Sequence, residues 1–232
     1  MCGRFELLAS SEALLDALGV GIEALDSDAD VASAHAGNRA LEQRDIRPTD
    51  QVLLLTNEEP RVVQRASWGF FASWSEPSPG KKPLRPFNAR DDKLLTPAWS
   101  WALERQRCLV PATAFFEWRA VPGEKKKRPV RFSLRSHEPF CFAGLWSRHR
   151  GQLSCTLITT SPSTLVMPVH DRMPVILPRQ EIARWLAPGA VALDSLAPLF
   201  SPLPSELMIA EERDPSGTAP PPPSSNGQLK LF

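Results

Sequence analysis

Eight short apolar segments with strand character follow one another along this chain, at residues 51–55, 61–68, 107–111, 115–118, 129–135, 139–146, 153–160 and 174–177. Each reads as a strand. Consecutive strands without an alternating strand–helix pattern exclude a doubly wound parallel sheet and imply an α+β domain, with an antiparallel or mixed sheet and helices packed outside. Helical patterns are fewer. Ser10 precedes apolar residues at helical spacing and Gly19 follows them, which predicts a capped helix over 10–18. Thr96-Pro97 opens a second helix over 96–104, and residues 161–167 and 179–186 are two more candidates. Residues 26–50 are polar, lack a strong period and read as a surface loop.

At 232 residues the chain has room for one sizeable domain. From Asp214 onward, Pro220 to Pro223 and Ser224-Ser225-Asn226-Gly227 cannot build a core. The expected division is a domain over 2–213 and a disordered linker over 214–232. The formal net charge of +1 supplies no global attraction to nucleic acid, so any such binding must come from a local basic surface. Lys125-Lys126-Lys127-Arg128 lies at the tip of an expected hairpin and reads either as a solvated turn or as such a surface. No signal peptide or long apolar run is found, which implies a reducing, cytoplasmic setting without membrane attachment. Nothing in the sequence points to an oligomer, so a monomer is expected.

The four cysteines, Cys2, Cys108, Cys141 and Cys155, have no zinc-site spacing; no metal and no cofactor are expected. Cys108, Cys141 and Cys155 sit in apolar runs and read as buried thiols. Cys2 is different. Once Met1 is removed, it carries a free α-amine and a thiol on adjacent carbons, a pair that can close a five-membered thiazolidine on an aldehyde. With a thiol titrating near pH 8.5 and an α-amine near 8, modest shifts would make both nucleophilic at neutral pH. A chance cysteine at position 2 is the alternative.

Three further residues lie where strands or turns project them from an apolar frame. Glu117, within Phe115-Phe116-Glu117-Trp118, shares a strand face with Phe115 while Phe116 and Trp118 take the other. It is either an exposed edge carboxylate or one held in an apolar pocket with a raised pKa suited to proton transfer. His170, in His170-Asp171-Arg172-Met173-Pro174, is an acid/base candidate or a structural histidine. Asn88, in Asn88-Ala89-Arg90, is a positioning amide or a turn cap.

Taken in order, Met1-Cys2-Gly3-Arg4-Phe5, Trp68-Gly69 with Trp74 after it, Asn88-Ala89-Arg90, Phe116-Glu117-Trp118 and His170-Asp171-Arg172-Met173-Pro174 resemble the SOS response-associated peptidase (SRAP) family of abasic site processing proteins. The resemblance spans roughly residues 2–190. It implies a barrel-like mixed sheet flanked by helices, and a DNA-damage function in which Cys2 is an N-terminal nucleophile for the aldehyde of an abasic site in single-stranded DNA. It also implies that Met1 removal uses the same peptidase-type site. On this resemblance Cys2, Asn88, Glu117 and His170 are catalytic; Arg4, Arg90 and Arg172 bind phosphate; Trp68 and Trp74 stack on bases. The chain departs from the family pattern at Asp45-Ile46-Arg47-Pro48, where Asn-x-Ala-Pro is usual, at Asp92-Lys93, where Glu-Thr is usual, and around residues 202–214, where a Val-Asn element is hard to find. The tail Gln228-Leu229-Lys230-Leu231-Phe232 resembles the peptide by which bacterial proteins bind the replicative sliding clamp, with Gln228, Leu229, Leu231 and Phe232 as contacts. Two other functions remain open: an N-terminal nucleophile amidohydrolase, and a clamp-tethered DNA-binding adaptor without chemistry.

Overall fold

The computed structural model describes residues 2–25, 29–37, 40–71 and 84–213. Two sheets share one core. The first is antiparallel and built on β1 (Phe5–Ser10), which is flanked by β2 (Ala40–Ile46) on one edge and by β7 (Ala114–Arg119) on the other. Beyond β7 lie β8 (Arg128–Leu134) and β13 (Met208–Glu212).

The second sheet closes on itself. It comprises β3 (Gln51–Thr56), β4 (Val63–Trp68), β6 (Arg107–Ala112), β9 (Phe140–His149) and β10 (Gln152–Thr160). β10 pairs with β4 in parallel, and antiparallel pairing then runs from β4 to β3, β6, β9 and back to β10. The result is a mixed five-stranded barrel with no open edge along the ring. Past the point where β4 leaves it, β10 carries β5 (Asn88–Arg90) in parallel, while β11 (Met173–Pro174) pairs beside its last residues. β12 (Ile176–Leu177) extends the edge of β9.

Aromatic packing locks barrel to sheet. Phe5 of β1 meets Trp68 of β4 edge-on with ring centroids 5.0 Å apart and Phe142 of β9 at 5.5 Å. Phe115 of β7 stacks on Phe132 of β8 at 5.0 Å and reaches Phe142 at 6.4 Å. All five rings are buried. A buried guanidinium ties down the chain after α4 (Ile182–Trp185): Arg107 donates to the backbone carbonyls of Trp185 and Leu103, among others, and pairs with no carboxylate among the described residues. Burial pulls its pKa down to about 10, still far above neutrality.

The eight expected strand segments all carry strand structure, the last divided between β11 and β12. The first helix forms as expected: in α1 (Ser11–Leu18) the Ser10 side chain accepts from Ala13 N–H, and Gly19 closes the helix at φ +69°, a left-handed conformation that glycine adopts without strain. Residues 26–50 are a correction. They contain α2 (Ala29–Ala36) and β2. β2 alternates exposed and half-buried residues, so it has no apolar period to read and is stabilised by its ladder to β1 instead. The expected helix over 161–167 is a run of turns, because Pro162 and Pro168 confine it. α3 (Ser100–Arg105) starts later than Thr96, whose hydroxyl donates to the Lys93 carbonyl.

Trp68 is a second correction. It was expected to stack on DNA bases, yet it is 0% exposed, with its indole N–H donating to the Phe87 carbonyl at 2.8 Å. Its apolar bulk wins a core position between Phe5 and Phe87. Trp74 and the tail residues Gln228, Leu229, Leu231 and Phe232 lie outside the described residues. Trp68→Ala is expected to cost about 3–5 kcal/mol of stability, measured by urea unfolding. A loss below about 1 kcal/mol would contradict the core assignment.

Candidate active site

Antiparallel register delivers Cys2 to Glu117. Phe5 pairs with Phe115, and the Phe116 N–H donates to the Arg4 carbonyl at 2.9 Å. Continued by two residues, this register runs the start of the chain alongside Glu117. Downstream, Thr113 fixes β1 from its own hydroxyl, which accepts from Leu8 N–H at 3.1 Å and donates to the Glu6 carbonyl at 3.2 Å. The Cys2 side chain is 0% exposed.

Asn88 and His170 arrive from opposite edges of β10. Asn88 pairs with Leu157 at the start of β5, and its side-chain N–H donates to the Cys2 carbonyl at 2.8 Å. The other amide atom, Asn88 Oδ1, is buried and accepts no hydrogen bond among the described residues. His170 precedes β11, and its Nε2 lies 3.8 Å from Glu117 Oε2. Asp91 ties the two approaches together. Its carboxylate accepts from the Arg172 guanidinium at 2.6 Å and from the Thr160 hydroxyl at 2.8 Å. Sequence reasoning missed Asp91; its signal was an acid directly after Asn88-Ala89-Arg90, next to the Asp92-Lys93 departure.

Desolvation governs the electrostatics. Glu117 is 3% exposed, and burial pushes its pKa from the ordinary 4.5 up to about 7, with the Asp171 charge pushing the same way. The pocket alternative for Glu117 therefore holds over the exposed-edge one. Burial also pushes the Cys2 thiol well up, and the adjacent Glu117 charge adds to this. With Met1 still attached, the sulfur therefore stays protonated until a base removes its proton. The His170 ring is pulled down by burial. Its Nδ1 accepts from Arg172 N–H at 3.0 Å, which places the neutral ring's proton on Nε2, facing Glu117. Asp171 Oδ1 is equally close to Nδ1 at 3.0 Å, but it can accept only when Nδ1 carries a proton, which the Arg172 N–H donation to Nδ1 opposes. Burial favours the neutral form.

The three arginines expected to hold phosphate are all engaged. Arg4 pairs with Asp45 and lies over both Phe116 and Trp118, 5.7 Å from each ring. Asp45 belongs to the segment that departs from the family pattern, so the departure itself puts a carboxylate on Arg4. Arg90 is exposed and grips Asp92 through two hydrogen bonds of 2.9 Å. Arg172 corrects the expectation outright, since its guanidinium is buried and turned inward to Asp91 and the Thr159 carbonyl.

The profile of the SOS response associated peptidase (SRAP) family matches residues 1–212. The chain belongs to this family. Abasic site processing protein YoaM of Bacillus subtilis is 30% identical over 217 residues, covering 90% of this chain and 89% of that protein. Abasic site processing protein HMCES of Xenopus tropicalis is 30% identical over 168 residues, covering 62% and 50%. The fold agrees as well. A crystal structure of a Bacteroides thetaiotaomicron protein superposes with TM-score 0.75 at 23% identity, covering 93% of each chain. One from Bordetella bronchiseptica gives 0.69 at 22% identity, covering 92% of this chain and all of that one. No helix among the described residues is long and apolar enough to cross a membrane.

Because the folded Glu117 binds its proton more tightly than the unfolded chain does, its stabilising effect is complete below pH 4.5 and fades as pH rises through about 7. The wild-type protein should thus lose about 3 kcal/mol relative to Glu117→Gln between pH 4.5 and 8. Urea unfolding of both proteins across that range reads the difference directly; parallel curves would refute a buried carboxyl.

Proposed function

We propose that this protein processes abasic sites in single-stranded DNA by joining them covalently to Cys2 after Met1 has been removed. The observation that carries the reading is the burial of the Cys2 thiol beside a carboxyl poised near pH 7, with Asn88 clamping the Cys2 carbonyl. The abasic site processing proteins among its relatives support the substrate class.

The ring-opened sugar presents an aldehyde. The neutral α-amine of Cys2 adds to the aldehyde carbon, and the resulting carbinolamine expels water as Glu117 protonates the departing hydroxyl. The sulfur then adds to the carbon of the resulting protonated imine, whose nitrogen keeps its hydrogen. The thiol proton passes to the Glu117 carboxylate left by the first step, and the ring nitrogen becomes the thiazolidine amine. Aldehyde and aminothiol have become thiazolidine and one water. The unsatisfied Asn88 Oδ1 supplies an acceptor for the new α-amine, and His170 Nε2–H supports the Glu117 carboxylate between its two proton transfers. Reversal of these steps would release the cross-link, and peptidase-type removal of Met1 exposes the amine in the first place. Arg4 and Arg90 remain at the rim as backbone contacts whose charge is already offset by Asp45 and Asp92.

Wild-type protein mixed with an oligonucleotide carrying an abasic site should give an adduct that survives denaturing electrophoresis. Cys2→Ala should abolish it, and Glu117→Gln should slow its formation by about 100-fold or more. An undiminished adduct with Cys2→Ala would discard the reading, whereas undamaged function without any adduct would favour the DNA-binding adaptor.

The tail extends the proposal to the replication fork in the SOS response. Its last five residues lie outside the described ones, and their resemblance to clamp-binding peptides supports a tether to the sliding clamp. A synthetic peptide of residues 214–232 should bind a purified bacterial clamp, and Leu231→Ala with Phe232→Ala should weaken it at least about tenfold. Equal binding by both peptides would reject the tether.

A further inference from the structure

Asp45, Asp92 and Asp91 pair with Arg4, Arg90 and Arg172, so none of these three arginines offers unbalanced positive charge to a DNA backbone. The hairpin between β7 and β8 supplies it. Its last ladder pair is Arg119 with Arg128, two residues past the pairing of Glu117 with Val130. Pro122 and Gly123 shape the turn: Gly123 sits at φ +82°, with open space around the position of a Cβ, and Glu124 N–H donates to the Val121 carbonyl at 3.0 Å. Pro at the second position and Gly at the third suit a type II turn.

The arginines of this hairpin are neutralised and the lysines are not. Arg119 pairs with Glu212, and Arg128 pairs with Glu124 and stands 3.8 Å from Glu212. Two arginines thus balance two glutamates. Lys125, Lys126 and Lys127 are exposed and make no ion pair among the described residues. Lys127 is near enough for its charge to act on both Glu117 and His170. Three uncompensated cations at the tip of a strand pair that carries Glu117 form a local basic surface beside the site, in a chain whose net charge is only +1.

We infer that Lys125, Lys126 and Lys127 hold consecutive phosphodiesters of the single strand that enters the Cys2–Glu117 site. The inference rests on the proposed DNA substrate, and it adds the element that grips the backbone. Lysine suits the task as a flexible point charge that follows a mobile strand, and each phosphate it neutralises releases a counterion.

Equilibrium binding of an undamaged single-stranded oligonucleotide, measured by fluorescence anisotropy across a salt series, tests this independently of cross-linking. Replacing Lys125, Lys126 and Lys127 by Gln should flatten the slope of log K against log salt by about 2, at roughly 0.7 per lost phosphate contact. A control lacking Arg105 and Arg148, exposed cations on other elements that pair with Glu104 and Glu58, should keep the wild-type slope. An unchanged slope in the lysine variant, or an equal flattening in the control, overturns the inference. So does an absence of measurable wild-type binding at low salt. If the wild type binds with the expected slope but forms no adduct with an abasic oligonucleotide, the lysine surface stands and the covalent reading falls.

Discussion

The burial of Phe5 is the interaction on which the rest of this structure depends. Its ring enters the cluster of Trp68 and Phe142, and in doing so it draws β1 between β2 and β7 and fixes the register that runs Cys2 toward Glu117. A chain terminus ordinarily frays, because ordering its last few residues costs about 1–2 kcal/mol each in backbone entropy. Here the cost is offset by a buried aromatic only three positions away, by the Thr113 hydroxyl that satisfies two backbone groups of β1, and by the Asn88 amide on the Cys2 carbonyl. These contacts hold Cys2 in place from the side of β1 and from Asn88.

Burial of the terminus then dictates the chemistry available there. Removing Cys2 and Glu117 from water raises both pKa values, but with different consequences. The carboxyl moves from fully ionised to a range where it can both give and take a proton at neutral pH, while the thiol moves away from its reactive form. Burial thus brings the Glu117 carboxyl toward neutrality and carries the Cys2 thiol away from it. His170 enters this balance as a neutral ring, oriented by the Arg172 amide on one side and facing Glu117 on the other. Its position depends in turn on Arg172 reaching Asp91, which explains why an arginine suited by type to phosphate binding is spent on holding a loop.

Much of the barrel was legible in the sequence because its strands are buried on a face or on both, and burial leaves apolar runs to read. β2 was not, because an edge strand with a polar exposed face leaves no such trace. β5 is three residues long and owes its existence to β10, so no local pattern announces it. At the site, Cys2, Asn88, Glu117 and His170 were nominated by residue type and order, and the fold brings them together. Nominations of the aromatic and basic residues fared less evenly. Trp68 and Arg172 are large side chains that carry a polar function, and which of two roles each plays depends on where the third dimension places them. Sequence shows the cation but not the carboxylate opposite it, as Asp45 on Arg4 makes plain.

The four thiols sharpen the question of what makes one cysteine special. Burial pushes Cys141 and Cys155 up to about 12 and Cys108 in the same direction, just as it does Cys2. Thiol acidity therefore does not select Cys2; position does. It alone lies within reach of a carboxyl that titrates near 7, and it alone acquires an α-amine when the preceding residue is removed. Under the proposed chemistry the amine meets the aldehyde first, and the sulfur is called on only after an electrophilic imine stands on the neighbouring atom. A protonated thiol that waits for this event is shielded from oxidation and from stray electrophiles, which demand a pre-formed thiolate. On that view the high thiol pKa is part of the selectivity: the reactive group is completed by the substrate, inside a pocket that the first residues of the chain build around themselves.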